Sequence, residues 1–125
     1  KDRKRSKETH SLMLPRQHRL TLESEFKQVL SYGKTISGGL FALKILESTA
    51  STPTKIGIIT SKKVAKQAVY RNRARRRLKE AVRSHLKELK TGFLVVILVK
   101  REIVDSDYKT ISREVQTLFG KGGLL

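Results

Sequence analysis

The sequence predicts a single α/β (α+β) domain, a two-layer sandwich whose elements follow the order α-β-β-α-β-α. A length of 125 residues suits one hydrophobic core, and a hydrophobic content of 38% is sufficient to form it. Short apolar runs of strand length alternate along the chain with segments in which apolar residues recur at helical spacing. Two of the predicted strands are joined through a long helix, so we expect helices packed on a small sheet.

Turn residues divide the chain into these elements. Gly33 ends the first helix, Gly38-Gly39 precede the first strand, and Thr91-Gly92 precede the last strand. A further short strand can pair near residues 35–37. The predicted helices span about residues 22–33, 65–89 and 108–119, and the predicted strands span residues 40–46, 56–60 and 93–99.

The first predicted strand has two unlike faces. Phe41, Leu43 and Ile45 alternate with Ala42 and Lys44, so one face is apolar and the other carries a cation. The face with Lys44 therefore cannot consist wholly of packed core.

The two ends of the chain are predicted to lie outside the domain, which spans residues 16–119. Residues 1–15 are charged and polar without periodicity and end at Pro15, which is typical of a flexible basic arm. Gly120, Gly122 and Gly123 predict a flexible tail over residues 120–125.

A formal net charge of +17 indicates a polyanionic partner, which can be RNA, DNA or an anionic membrane. The membrane is the weakest candidate, because no run approaches the roughly 18 apolar residues of a spanning helix. The absence of cysteine excludes disulfides, thiolate metal sites and cysteine catalysis, and no apolar segment follows the basic N-terminus as in a secretory signal. We therefore expect a cytoplasmic protein that binds neither a membrane nor a small-molecule substrate.

The predicted long helix carries its cations on one side. On a helical wheel, an apolar stripe that includes Ala74, Leu78 and Val82 opposes a face that is almost wholly cationic. Arg71 and Arg75 flank the apolar stripe, where each must extend to solvent or meet a partner. Arginine matches phosphate with a planar fork and stacks on bases, so this helix is predicted to face nucleic acid. The cationic face consists of Asn72, Arg73, Arg76, Lys79, Arg83 and Lys87.

The sequence contains no visible constellation of catalytic or metal-binding residues. His10, His18 and His85 are scattered, and the acidic residues are not gathered as a two-metal nuclease requires. Asp105 and Asp107 lie close together, but they are better placed to favour the start of the last helix. We therefore predict a binding surface with no catalytic residue and no metal held by the protein.

Phe26 and Lys44 suggest a groove for single-stranded nucleic acid. The first helix carries Phe26 beside the sheet face that carries Ala42, Lys44 and, by its position, Lys63. In such a groove cations follow the phosphates while an aromatic ring takes a base. The helical spacing of Phe26 equally fits a residue of the hydrophobic core.

At three places the sequence resembles the protein component of bacterial ribonuclease P, over about residues 16–119. Arg71-Asn72-Arg73-Ala74-Arg75-Arg76 is similar to the arginine-rich signature of that family, and Ser61-Lys62-Lys63 precedes it at the family's distance. Arg19-Leu20, followed by Glu25-Phe26 and then Gly33, is similar to the family's opening helix. The three pieces in this order are more specific than an arginine-rich helix alone.

The resemblance implies a small mixed sheet with a left-handed β-α-β crossover, an exception to the usual hand. It also implies that a large RNA subunit, which holds most of the Mg²⁺, hydrolyses precursor tRNA at its 5′ end. The protein would bind that catalytic RNA and the single-stranded 5′ leader. The residues matched to the catalytic-RNA contact are Arg71, Asn72, Arg73, Arg75, Arg76 and Lys62. The residues matched to the leader contact are Phe26, Leu30, Ala42, Lys44 and Lys63.

The sequence departs from the family pattern at two of these leader positions. Leu30 and Lys44 stand where the family often has aromatic residues, so we expect weaker stacking and stronger charge contact in this groove. A ribosomal or other structural RNA-binding protein with a similar small fold is the main alternative. An autonomous nuclease and a DNA-binding helix are further alternatives, which protein-only cleavage of precursor tRNA and a preference for duplex DNA would respectively support.

Overall fold

The computed structural model describes residues 14–125, which form a four-stranded sheet and three α-helices. Short 3₁₀ turns lie at Arg16–His18, Leu86–Glu88 and Arg101–Asp105. None of the helices described in this range is both long enough and apolar enough to cross a bilayer. The helices and strands are α1 Glu23–Tyr32, β1 Lys34–Ser37, β2 Phe41–Glu47, β3 Lys55–Ile59, α2 Ala68–Arg83, β4 Phe93–Val99 and α3 Tyr108–Lys121.

The strand order across the sheet is β1-β2-β4-β3. β2 pairs antiparallel with both β1 and β4, whereas β3 pairs parallel with β4, so the sheet is mixed. The chain passes from β3 to β4 through α2, which confirms the predicted β-α-β unit. The left hand of that crossover stays an implication of the family resemblance, because strand pairing alone does not fix it. β1 is the short strand that the sequence allowed near residues 35–37.

The main core lies between the sheet and the pair α2 and α3. Phe41, Leu43 and Ile45 point into it, as the alternation in this strand predicts, and they meet Leu78 of α2 and Ile111 of α3. α1 covers part of the opposite face over a smaller cluster formed by Leu20, Val29, Leu94 and Val96. The predicted two layers therefore correspond to the sheet with α2 and α3, and α1 adds a partial third layer.

α2 is shorter than the helix predicted over residues 65–89. Its first residue is Ala68, because the guanidinium of Arg71 binds the carbonyls of Ala65 and Lys66 and holds them outside the helix. At the other end the Ser84 hydroxyl donates to the Ala81 carbonyl, a local bond that competes with the helical pattern.

α3 begins at the acidic pair as predicted. The Asp107 carboxylate accepts a hydrogen bond of 2.9 Å from the Thr110 amide and caps the helix. Hydrogen bonding by Thr110, through its side chain and then through its backbone amide, lowers the pKa of Asp107 below its ordinary value. The cap therefore stabilises the helix most above the ordinary pKa of an aspartate, and protonation in acid weakens it.

Both ends of the described residues pack against the main core, outside the domain span of residues 16–119 that the sequence predicts. α3 runs to Lys121, Leu124 is fully buried, and the Leu124 carbonyl accepts a hydrogen bond of 2.8 Å from the Lys90 amide. Residues 120–125 therefore close the main core instead of forming a loose tail. At the other end Leu14 is buried in the same core, although it falls within the predicted arm. Residues 1–13 of that arm lie outside the described residues.

We predict that Leu124→Ala lowers the free energy of unfolding by about 2–5 kcal/mol, because it leaves a cavity in the core. Leu125→Ala is the matched control, since Leu125 is partly buried at the edge of the same cluster. Urea unfolding followed by circular dichroism measures both changes. Equal and small losses in the two variants would contradict the packing of the C-terminal residues.

Candidate nucleic-acid interface

The cations of α2 are not neutralised by acidic side chains. The helix carries seven arginines and lysines among 16 residues, and Glu80 is its one acid. None of the seven forms an ion pair with a carboxylate of residues 14–125. The ion pairs in that range are Lys27–Glu23 and Lys55–Glu25, and His85 Nδ1 lies 3.2 Å from a carboxylate oxygen of Glu88. The helix therefore presents positive charge that an external anion can neutralise.

Two of these arginines have structural partners. Arg71 Nη1 donates hydrogen bonds of 2.7 Å to the carbonyls of Ala65 and Lys66, so it fixes the turn that precedes α2. Arg77 Nη1 donates one of 2.9 Å to the Ser106 carbonyl and fastens α2 to the start of α3. Arg71 was matched to the catalytic-RNA contact by the resemblance, and its hydrogen bonds give it a positioning role as well.

Four other residues that the resemblance matched to the catalytic-RNA contact are exposed. Asn72, Arg73 and Arg76 are exposed along α2, and Lys62 is exposed on the turn between β3 and α2. The neighbouring Lys63 is also exposed, and its carbonyl accepts a hydrogen bond from Arg101 Nε at 3.4 Å. These four side chains, Asn72, Arg73, Arg76 and Lys62, are thus accessible to a ligand.

α1 approaches β3 closely because position 57 is glycine. The Phe26 ring lies on the backbone of Gly57, where a Cβ atom would collide with ring carbons Cζ and Cε1. Phe26 is half-buried in the small cluster under α1, so it is partly core and partly surface. The ring therefore belongs in part to the core, and contact of its exposed part with a base stays a prediction.

The other residues of α1 and β2 that the resemblance matched to the leader contact lie on the same side of the sheet as Phe26. Ala42 and Lys44 pair with Leu98 and Val96 of β4, and those two residues belong to the cluster beneath α1. Ala42 is buried and Lys44 is half-buried, while Leu30 of α1 is 37% exposed. The structure therefore brings Phe26, Leu30, Ala42 and Lys44 to one face, whereas Lys63 lies at the end of β3.

A cleft of about 290 Å³ opens at the β3 edge, where the segment before α1 meets α2. Its lining includes Phe26 and three cations, Arg19, Arg75 and Lys79. The buried Nε atoms of Arg19 and Arg75 have no hydrogen-bond acceptor among residues 14–125. Like charges gathered in a partly desolvated cleft repel one another, so the site favours an anion with several acceptor oxygens, such as a phosphate.

The pKa of Lys79 reflects the burial and the positive charge in this cleft. Burial, followed by the positive charges of Arg75 and Arg19, lowers the pKa of Lys79 from the ordinary value of 10.5. The folded chain consequently releases this proton at a lower pH than the unfolded chain, and its stability rises with pH across that interval. An anion bound in the cleft would raise the pKa of Lys79, because it favours the charged form of the lysine.

The sequence did not predict all the residues of this cleft, and it predicted a different contact for Arg75. The resemblance matched Arg75 to the catalytic-RNA contact, but the side chain lines the cleft beside Phe26. Arg19 and Lys79 were not among the candidate site residues. Lys79 follows Arg75 by one helical turn, and Gly57 interrupts a β-branched strand, which is a usual sign of close approach.

Solved structures with the same fold are bacterial ribonuclease P proteins. A Staphylococcus aureus RNase P protein mutant with defective mRNA degradation activity matches with a TM-score of 0.79 and 17% identity, covering 86% of this chain and 90% of that chain. The RNase P protein from Thermotoga maritima matches with a TM-score of 0.73 and 20% identity, covering 82% and 96%. At these identities the likeness concerns the fold.

Sequence comparisons extend the likeness to the family. The ribonuclease P protein component of Pseudanabaena sp. is 36% identical over 113 residues, which cover 90% of this chain and 97% of the relative. That of Picosynechococcus sp. is 38% identical over 105 residues, which cover 84% and 90%. The family model described as Ribonuclease P matches residues 14–123. The chain therefore belongs to the family of the ribonuclease P protein component.

Proposed function

We propose that this chain binds the catalytic RNA of ribonuclease P and the 5′ leader of precursor tRNA, and so promotes endonucleolytic maturation of the tRNA 5′ end in the cytoplasm. The observation that carries the proposal is the cluster of Arg19, Arg75 and Lys79 beside Phe26. These cations share one cleft, and no carboxylate lines it. A single-stranded polyanion whose bases can meet an apolar surface fits this combination.

The leader is assigned to the cleft and to the sheet face next to α1. Arg19, Arg75 and Lys79 would hold a phosphate, and Lys44 would meet a second phosphate further along the strand. The exposed part of the Phe26 ring would contact a base. Leu30 offers apolar surface rather than stacking and Ala42 is buried, so charge contributes more to this groove than aromatic contact does. Contacts of this kind carry little sequence information and suit many different leaders.

The catalytic RNA is assigned to the exposed side of α2 and the turn before it. Asn72, Arg73, Arg76 and Lys62 are accessible there, and Arg71 keeps the turn in place through its two carbonyl bonds. Lys63 extends the same basic surface and can meet either RNA. Arginine forks bind phosphate oxygens in pairs, so these contacts position the protein on the folded RNA.

Hydrolysis is assigned to the RNA subunit and its Mg²⁺. Within residues 14–125 no group of three or more histidines and acidic residues could hold a metal ion. The protein contributes binding energy. The protein contacts the leader in precursor tRNA, and mature tRNA has no leader, so these contacts favour the substrate over the product. Cations of the protein that neutralise RNA phosphates also lower the Mg²⁺ concentration that the RNA needs to fold.

The first test compares cleavage of precursor tRNA at low Mg²⁺ by a bacterial catalytic RNA alone, by the protein alone and by the mixture. We expect that only the mixture cuts at the mature 5′ end. Arg73→Ala should weaken binding of the catalytic RNA about tenfold, because one charge-assisted phosphate contact is lost. Lys109→Ala, which removes an exposed charge on α3, is the control. Cleavage by the protein alone, or no gain from adding it, would contradict the proposal, and the latter result would favour a structural RNA-binding role.

A second test uses the lowered pKa of Lys79. We predict that the free energy of unfolding rises as the pH approaches 10.5, the ordinary pKa of a lysine, from below, and that Lys79→Met removes part of this rise. Added sulfate should also reduce the rise, because an anion in the cleft favours the charged lysine. Urea unfolding at each pH provides the measurement, with Lys87→Met as an exposed control. An unchanged rise in Lys79→Met would refute the cation cluster.

A further inference from the structure

The first turn of α2 exposes two apolar side chains among its cations. Val69 is 63% exposed and Tyr70 is 41% exposed, although the buried stripe of the same helix begins one turn later at Ala74. Neither Val69 nor Tyr70 belongs to the main core or to the small cluster beneath α1. A single exposed apolar residue needs no explanation, but an exposed ring inside a basic surface has a specific chemical character.

The Tyr70 ring is already engaged by a cation. The guanidinium carbon of Arg73 lies 5.2 Å from the centroid of the ring. This cation–π contact restrains both side chains and leaves the exposed part of the ring facing outward. Asn72 and Arg76, which are also exposed, lie on the same stretch of helix. The result is a flat aromatic surface with phosphate-binding groups next to it.

We infer that Tyr70 is a stacking site for an unpaired nucleobase of the RNA that α2 binds, while Arg73 binds a phosphate of the same RNA. An unpaired base is required because a base inside a duplex has both of its faces already stacked. The charge around Tyr70 selects RNA over an apolar segment of another protein, since the cations of α2 lack carboxylate partners within residues 14–125. The inference rests on the proposed function and specifies how α2 binds its RNA.

The main test replaces the aromatic ring of Tyr70 without changing the net charge of the chain. Tyr70→Leu keeps an apolar side chain and favours helix, so the fold is retained. We expect it to weaken binding of the catalytic RNA roughly 5- to 100-fold, the range of one base–aromatic stack. The dependence of the affinity on salt should not change, because no phosphate contact is lost. Tyr70→Phe should restore the affinity, and Tyr108→Leu, at a tyrosine that is 38% exposed, is the matched control.

Fluorescence gives a second and independent readout. The chain has three tyrosines and no tryptophan, so Tyr32→Phe combined with Tyr108→Phe leaves Tyr70 as the one emitting side chain. Stacking on a base should quench this emission when the catalytic RNA is added. Parental affinity in Tyr70→Leu, or emission that RNA leaves unchanged, would overturn the inference while the proposed function stands. Failure of the parental chain to bind the catalytic RNA would overturn both.

Discussion

The contact between the Phe26 ring and the backbone of Gly57 forms part of the wall of the cleft. A Cβ atom at position 57 would collide with the ring, so the ring would have to move away from β3. Arg19, just before α1, lies against β3 through a parallel bridge to Ile56, and it lines the cleft together with Arg75 and Lys79 of α2. A hydrophobic contact and a cluster of positive charges thus share one cleft at the edge of the sheet.

The charge of this surface opposes folding in the absence of a partner. The lowered pKa of Lys79 means that the folded chain holds that proton less tightly than the unfolded chain does. Arg71 and Arg77 offset part of the repulsion by binding backbone carbonyls, which also fixes the turn before α2 and the start of α3. The remaining cations keep their binding capacity. A polyanionic partner would therefore stabilise the fold while it binds, by mass action.

The parts of this architecture that follow local rules could be predicted from the sequence. Alternation along β2 correctly separated the core residue Leu43 from Lys44, and the spacing in α2 identified its buried and cationic sides. Asp107 caps α3 where its position suggested. Tertiary contacts were harder to predict. Leu124 is buried because it meets partners that are distant in sequence, and the glycines around it suggested a loose end. Arg19 and Lys79 likewise meet only when the sheet has formed.

The central claim is that the cleft holds the leader of a precursor tRNA. Its most direct test is the ratio of the affinities of precursor and mature tRNA for the catalytic RNA, measured with and without the protein. We predict that the protein raises this ratio, and that Arg19→Gln reduces the gain about tenfold by removing one phosphate contact, whereas Lys109→Gln does not. A ratio that the protein leaves unchanged would contradict the account.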